Sequence, residues 1–134
     1  IASCLVGSEM CIRDRLSDDQ AIEFINYANE LKLDCIIEVH DEDELKRAIK
    51  LDYPVIGINN RNLKSLEINL NNSINLNQNL INDYILIAES GIKTSDDIKK
   101  FNSTGIYNFL IGESLLKSKD KEKKIGELLL NESY

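Results

Sequence analysis

Apolar residues gather in four short continuous runs along this chain, with amphipathic stretches between them. The runs are residues 35–40 (CIIEVH), 54–59 (PVIGIN), 84–90 (YILIAES) and 108–114 (NFLIGES). Continuous runs, unlike strict apolar–polar alternation, predict parallel strands covered on both faces. Pro54 stands at a strand entry, where no ladder donor is lost. Ahead of the first run, Ala21, Phe24, Ile25, Ala28 and Leu31 recur at helical spacing. Ser17, with Gln20 three residues on, predicts a capping box at the start of that helix. Asp41 and Glu44 predict a second box, before a helix whose apolar face is Leu45, Ala48 and Ile49. A weaker, Asn-rich helical stretch is expected around residues 74–80. Thr94 or Ser95 caps the next helix, which carries Ile98 and Phe101 and has Gly105 near its end. A final helical region holds Ile125, Leu128 and Leu129.

Strand, helix, strand with short links reads as right-handed βαβ units, so the fold class is α/β. Glu38, Asn59, Glu89 and Gly112 mark successive strand ends at separations of 21, 30 and 23 residues. A (β/α)8 TIM barrel of about 250 residues averages roughly 31 residues per unit, less in compact versions. Four units predict about half a barrel, and a doubly wound open sheet is the alternative.

Composition narrows the function. The chain has 134 residues, 43% hydrophobic and 29% charged, enough for one globular domain with one core. A formal net charge of -7 argues against a nucleic-acid or anionic-membrane surface. No apolar run is long enough to span a membrane, and no basic-then-apolar leader is visible. The three cysteines, Cys4, Cys11 and Cys35, lack CxxC spacing, which points to a reduced, cytoplasmic setting with Cys35 as a small core residue.

The strand ends carry the candidate chemistry. Glu38 lies near the end of the first run, Asn59 and Arg61 at the end of the second, Glu89 and Ser90 at the third, and Gly112, Glu113 and Ser114 at the fourth. In a parallel α/β protein these ends share one face, where active sites are built. A single polar residue there is an ordinary turn residue; four ends out of four point to a pocket. Glu38 and Glu89 follow apolar residues directly, where an unpaired charge is costly. Gly91 and Gly112, in adjacent units, favour backbone capture of a phosphorylated small molecule. His40, the only histidine, is read as a turn residue, and Lys64, Lys93 and the run from Lys119 to Lys124 as solvated.

These residues resemble a known family. IIEVHDEDELKRAI, VIGINNRNLKSLEINL, IAESGIKTSDDI and FLIGESLL are similar, in order and spacing, to the C-terminal half of indole-3-glycerol-phosphate synthase, over about residues 17–130. The resemblance implies strands five to eight of a (β/α)8 barrel. It also implies a ring closure of a carboxyphenylamino-deoxyribulose phosphate, with loss of carbon dioxide and water and with neither metal nor organic cofactor. Under it, Glu38 is the strand-five glutamate of proton transfer, Asn59 lines the substrate, and Glu89 acts with Ser90 at strand seven. Arg61 and Ser90 hold the substrate, and Gly91, Gly112 and the backbone of Glu113 cradle its phosphate. The neighbouring phosphoribosylanthranilate isomerase lacks the GINNRNL pattern and the strand-five glutamate. A non-catalytic half-barrel module is the other alternative.

The resemblance also leaves a gap. In that family the first half-barrel supplies a glutamate and two lysines to the chemistry, and those residues have no match here. This polypeptide alone is therefore expected to be inactive, to partner the missing N-terminal half-barrel, and to self-associate through exposed edges. Residues 1–16 form a separate segment from 17–134. CLVGSEMCIRDR does not resemble the family's fourth strand; it resembles translated sequencing-adapter sequence, which would make Cys4 and Cys11 non-native and extend the gene upstream. The alternative is a divergent fourth strand with Leu5 and Val6 in the core.

Overall fold

The computed structural model describes residues 16–78, 80 and 84–129. The expectations for Cys4, Cys11, Leu5, Val6 and the rest of residues 1–15 lie outside these described residues.

Four strands, β1 (Ile37–Val39), β2 (Val55–Asn59), β3 (Ile85–Glu89) and β4 (Asn108–Leu110), form one sheet in sequential order. Every neighbouring pair is parallel. Helices separate them: α1 (Asp18–Glu30) precedes β1, α2 (Glu42–Lys50) follows it, and α3 (Asn71–Asn77) and α4 (Ser95–Asn102) fill the next two crossovers. The short α5 (Glu113–Leu116) and then α6 (Lys121–Leu129) follow β4.

The register sorts the strand residues into two faces. Ile37, Ile56 and Leu86 align in one row and Val39, Ile58 and Ala88 in the next. Both rows are buried in one cluster with Leu45 and Ala48 of α2, Leu76 of α3 and Phe101 of α4. Phe101 also stacks obliquely on Phe109, with ring centroids 5.8 Å apart. This side is a complete hydrophobic layer of helices on sheet.

The opposite face differs from the two-sided burial expected of continuous apolar runs. Its rows are Glu38, Gly57, Ile87 and Asn108, then Asn59, Glu89 and Leu110. No helical layer covers it among the described residues, and Ile36, Ile85 and Leu110 on or beside the sheet remain exposed. Nor does α1 bury any residue, so Phe24 and Leu31 of its expected core face are exposed. Cys35, expected in the core, is only partly buried.

The caps follow from local chemistry. Ser17 and Gln20 form the expected box, and Thr94 forms another with Asp97. At α2 half of the expected box is present. Asp41 accepts the Glu44 N–H at 2.8 Å, but the Glu44 carboxylate reaches past Asp41 to the His40 N–H at 2.7 Å. The Asn-rich helix begins three residues earlier than its spacing suggests. Its N-cap residue, Leu70, makes no side-chain cap bond; the Asn69 side chain accepts the Asn71 N–H at 3.1 Å, and tertiary bonds from Asn72 and Ser73, which local periodicity does not encode, fix the turn.

Candidate functional site

The C-terminal ends of the strands form one polar rim. Asn59 and Asn60 divide the work there, because consecutive strand residues point to opposite faces. Asn59 points to the open face: its Nδ2 donates to Glu38 Oε1 at 2.8 Å and its Oδ1 accepts the Arg61 N–H at 2.9 Å. Asn59 is nonetheless buried, and Asn60 is buried on the other side. Its Nδ2 donates to the Glu89 carbonyl at 2.9 Å, and its Oδ1 accepts from Ser73 N at 3.1 Å and Ser73 Oγ at 2.8 Å. Asn72 adds a bridge from α3, donating to the carbonyls of His40 at 2.9 Å and Asn59 at 3.0 Å. The ends of β1, β2 and β3 are thus bonded to one another by the side chains of the rim.

Glu89 is the register partner of Asn59 and is buried. Its carboxylate folds back over Gly57 and occupies the space a Cβ at that position would need. Gly57 is therefore a positioning element that the sequence did not single out; a glycine inside an apolar strand was the available signal.

Beyond β3 the chain turns sharply. Ser90 and Gly91 have φ of 64° and 85°. Left-handed backbone is natural for glycine and strained for serine, so the turn at Ser90 is held by its surroundings. A Cβ at Gly91 would also collide with Ile68. Ile68 belongs to the loop after β2, where Arg61 and Ile68 form an antiparallel bridge. Gly112 is different: its φ of -107° is ordinary, and an added Cβ would meet nothing within 4 Å. Neither conformation nor packing of the described residues demands glycine there.

Arg61 crosses from the β2 loop to the end of β4, where its Nη2 lies 2.6 Å from Glu113 Oε2. Lys117 pairs with the other carboxylate oxygen of Glu113. Together Lys117 and then Arg61 hold the Glu113 carboxyl below its ordinary range. Ser114 Oγ donates to the Ile92 carbonyl at 3.0 Å, tying the corner after β4 to the turn after β3. The candidates thus fall into two linked groups: Glu38, Asn59 and Glu89 on the open face, and Arg61, Ser90, Gly91, Gly112 and Glu113 around its β3–β4 corner.

His40 belongs with the first group. It lies at the strand-to-helix turn as expected, yet its ring is flanked by Glu38 and Glu44. The Glu38 carboxylate beside the ring raises its pKa above 6.5, burial opposes that, and Glu44 adds to the rise. Of the lysines read as solvated, Lys64 and Lys93 are exposed. Lys124 instead donates to the Lys93 carbonyl at 2.8 Å.

No helix among the described residues is long and apolar enough to cross a membrane. Comparison with solved structures gives a match to a chain of the Amycolatopsis orientalis BexX/CysO complex, with a TM-score of 0.60 at 9% identity. It covers 87% of this chain and 48% of that one, and at that identity it bears on the fold alone. Sequence comparison is more specific. The family model for indole-3-glycerol phosphate synthase matches residues 3–128. The indole-3-glycerol phosphate synthase of Legionella pneumophila (strain Paris) is 45% identical over 114 residues, 85% of this chain and 44% of the relative. That of Delftia acidovorans is 36% identical over 127 residues, 95% of this chain and 46% of the relative. The chain spans about half the length of the curated relatives it matches. Matched in this way along nearly all of its length, the chain belongs to the indole-3-glycerol phosphate synthase family.

Proposed function

We propose that this chain is the C-terminal half of an indole-3-glycerol-phosphate synthase, with β1 to β4 as strands five to eight of a (β/α)8 barrel. The uncovered face of the sheet is then the barrel interior, and the exposed Ile36, Ile85 and Leu110 await the other half. Completed in this way, the protein closes the pyrrole ring of the carboxyphenylamino-deoxyribulose phosphate with loss of carbon dioxide and water, a carboxy-lyase step of tryptophan biosynthesis.

The observation that carries this proposal is the placement of Glu38, Asn59 and Glu89 on one face at one edge of the sheet, in a chain of this family. Ring closure needs a proton delivered to a carbonyl, and the dehydration that follows needs a base and an acid in turn. Glu38 suits proton transfer because Asn59 donates to its Oε1 and holds the carboxylate on the face that no helix covers. Glu89, steered by Gly57, and Ser90 line the same face. The phosphate is placed at the corner of Gly91, Gly112 and the Glu113 backbone, with Arg61 alongside. Gly112 supports that placement, since packing alone does not call for glycine there. No metal or organic cofactor enters this scheme, and nothing in it needs a nucleic acid or a membrane; it is placed in the cytoplasm.

Complementation tests the proposal. This chain is mixed with a separately produced N-terminal half-barrel from a family member, and indole-3-glycerol phosphate is assayed. Product from the mixture and none from this chain alone is expected. Stable association without turnover would favour a non-catalytic half-barrel module, and turnover by this chain alone would remove the half-barrel proposal.

A further inference from the structure

His40 is the only histidine in the chain. Its Nδ1 lies 3.1 Å from Glu44 Oε2 and its Nε2 lies 3.1 Å from Glu38 Oε1. A neutral imidazole has one nitrogen without a proton, and that nitrogen would face a carboxylate lone pair. Carboxylates at both nitrogens therefore favour the doubly protonated, cationic ring. The contact with Glu38 is off the line of a hydrogen bond, so it acts between charges.

Hydrogen bonds hold three of the residue's four polar points, and the Glu38 charge faces the fourth. Glu44 Oε2 accepts from the His40 backbone N–H as well as facing the ring, which locks ring and backbone to one carboxylate. Asn72 holds the His40 carbonyl. On the far side, the Asn59 amide holds the same Glu38 oxygen that faces Nε2. The charged groups acting on the ring, among the described residues, are Glu38 from β1 and Glu44 from α2. Asn59 and Asn72, which reach the cluster from β2 and α3, carry no charge.

We propose that His40 is a positioning residue for Glu38, with Glu44 as the anchor that aims its ring. This rests on Glu38 being the proton-transfer group; His40 itself touches no reacting atom. A glutamate side chain has several free torsions, and ordering it costs rotamer freedom. A fixed cation on one oxygen lowers that cost at the time of reaction and favours the carboxylate over the carboxylic acid. Glu44 thereby gains a role beyond capping α2: its departure from the ordinary capping box is what holds the ring.

The solitary histidine makes the test direct. Imidazole 15N and 1H signals of the full chain are titrated by NMR for the wild type, Glu38→Gln and Glu44→Gln. Both nitrogens protonated near neutrality, and a lower titration midpoint in each variant, are expected. In the assembly with an N-terminal half-barrel, His40→Ala should lower kcat roughly tenfold with little change in KM, part of the 10²–10⁴ supplied by positioned proton transfer. It should also move the acid limb of the kcat profile to higher pH. Glu44→Gln, which leaves both site residues in place, should do the same to a smaller degree if His40→Ala folds poorly. A His40 titration unmoved by Glu38→Gln overturns the proposal, as does an active assembly whose kcat and acid limb ignore both variants. An inactive wild-type assembly in which the NMR coupling persists would sink the enzymatic assignment while still supporting the His40–Glu38 clamp.

Discussion

The Glu89 carboxylate lies across Gly57 of the neighbouring strand, in the space that a Cβ there would occupy. The colliding atom is the end of a flexible side chain, so a methyl group at Gly57 displaces the carboxylate before it displaces backbone. Ile36 Cγ2, 2.8 Å from the added Cβ, must also move. Gly57→Ala should therefore cost about 1–3 kcal/mol of stability from overpacking. In the assembled enzyme its larger effect should be on kcat. Parallel melts and steady-state kinetics check this; a variant with unchanged kcat would show that the position of Glu89 is immaterial.

Asn59 and Asn60 are adjacent and chemically identical, yet they should respond differently to alanine. Asn60→Ala strands the buried Ser73 N–H, leaves the Ser73 hydroxyl only its longer 3.4 Å contact to the Ile58 carbonyl, and empties an acceptor site on the Glu89 carbonyl. Each unsatisfied buried group costs about 1–3 kcal/mol, so this variant should be strongly destabilised. Asn59→Ala leaves groups that border the open face and should lose less stability and more activity. Denaturant unfolding of the two variants side by side decides it, and equal losses would contradict the division of roles.

At α4, Thr94→Ala removes a cap and should destabilise the chain by about 1 kcal/mol. Its partner Asp97 gives the interaction a pH dependence. Burial pushes the Asp97 carboxyl upward, but hydrogen bonds from the Lys93 and Thr94 backbone and the Thr94 hydroxyl outweigh it and lower its pKa below 3.8. A depressed carboxylate contributes stability that is fully present above its unfolded pKa and is lost as pH falls through the folded one. Acid titration of stability should therefore show a smaller loss below pH 4 for Asp97→Asn than for the wild type.

Glu113 competes with any anion for Arg61, since the two are 2.6 Å apart. An exposed ion pair of this kind adds little to stability. Glu113→Gln should leave the melting temperature unchanged and tighten binding of inorganic phosphate to the assembled protein several-fold. Weaker phosphate binding would place the anion elsewhere.

Much of this arrangement is legible in the chain, for reasons that differ by element. The apolar runs specify four parallel strands because strand burial depends on composition over a few residues. Ser17 and Thr94 specify helix starts because a cap acts over three residues. The face-by-face burial is not legible in the same way: Ile36 and Ile37 look equivalent, and which of them is covered depends on whether a helix packs there. The start of the Asn-rich helix is hidden because Asn72 and Ser73 bond to residues far away in sequence. His40 looks like a turn residue because its second partner, Glu44, reads as the capping-box partner of Asp41, and its carboxylate instead reaches one residue further back. The gathering of Glu38, Asn59 and Glu89 was accessible, since parallel strands place equivalent ends together.

Each strand pairs with the strand next to it in the sequence, and each crossover supplies the helix that packs on that pair. Growth of the sheet is thus additive. A unit emerging during synthesis can dock on its predecessor with a short loop closure, and within this four-stranded sheet each strand finds its partner in the unit beside it. Such a molecule folds as an array does, from neighbour to neighbour. Its helix side can be finished while its other side is still open to whatever completes it.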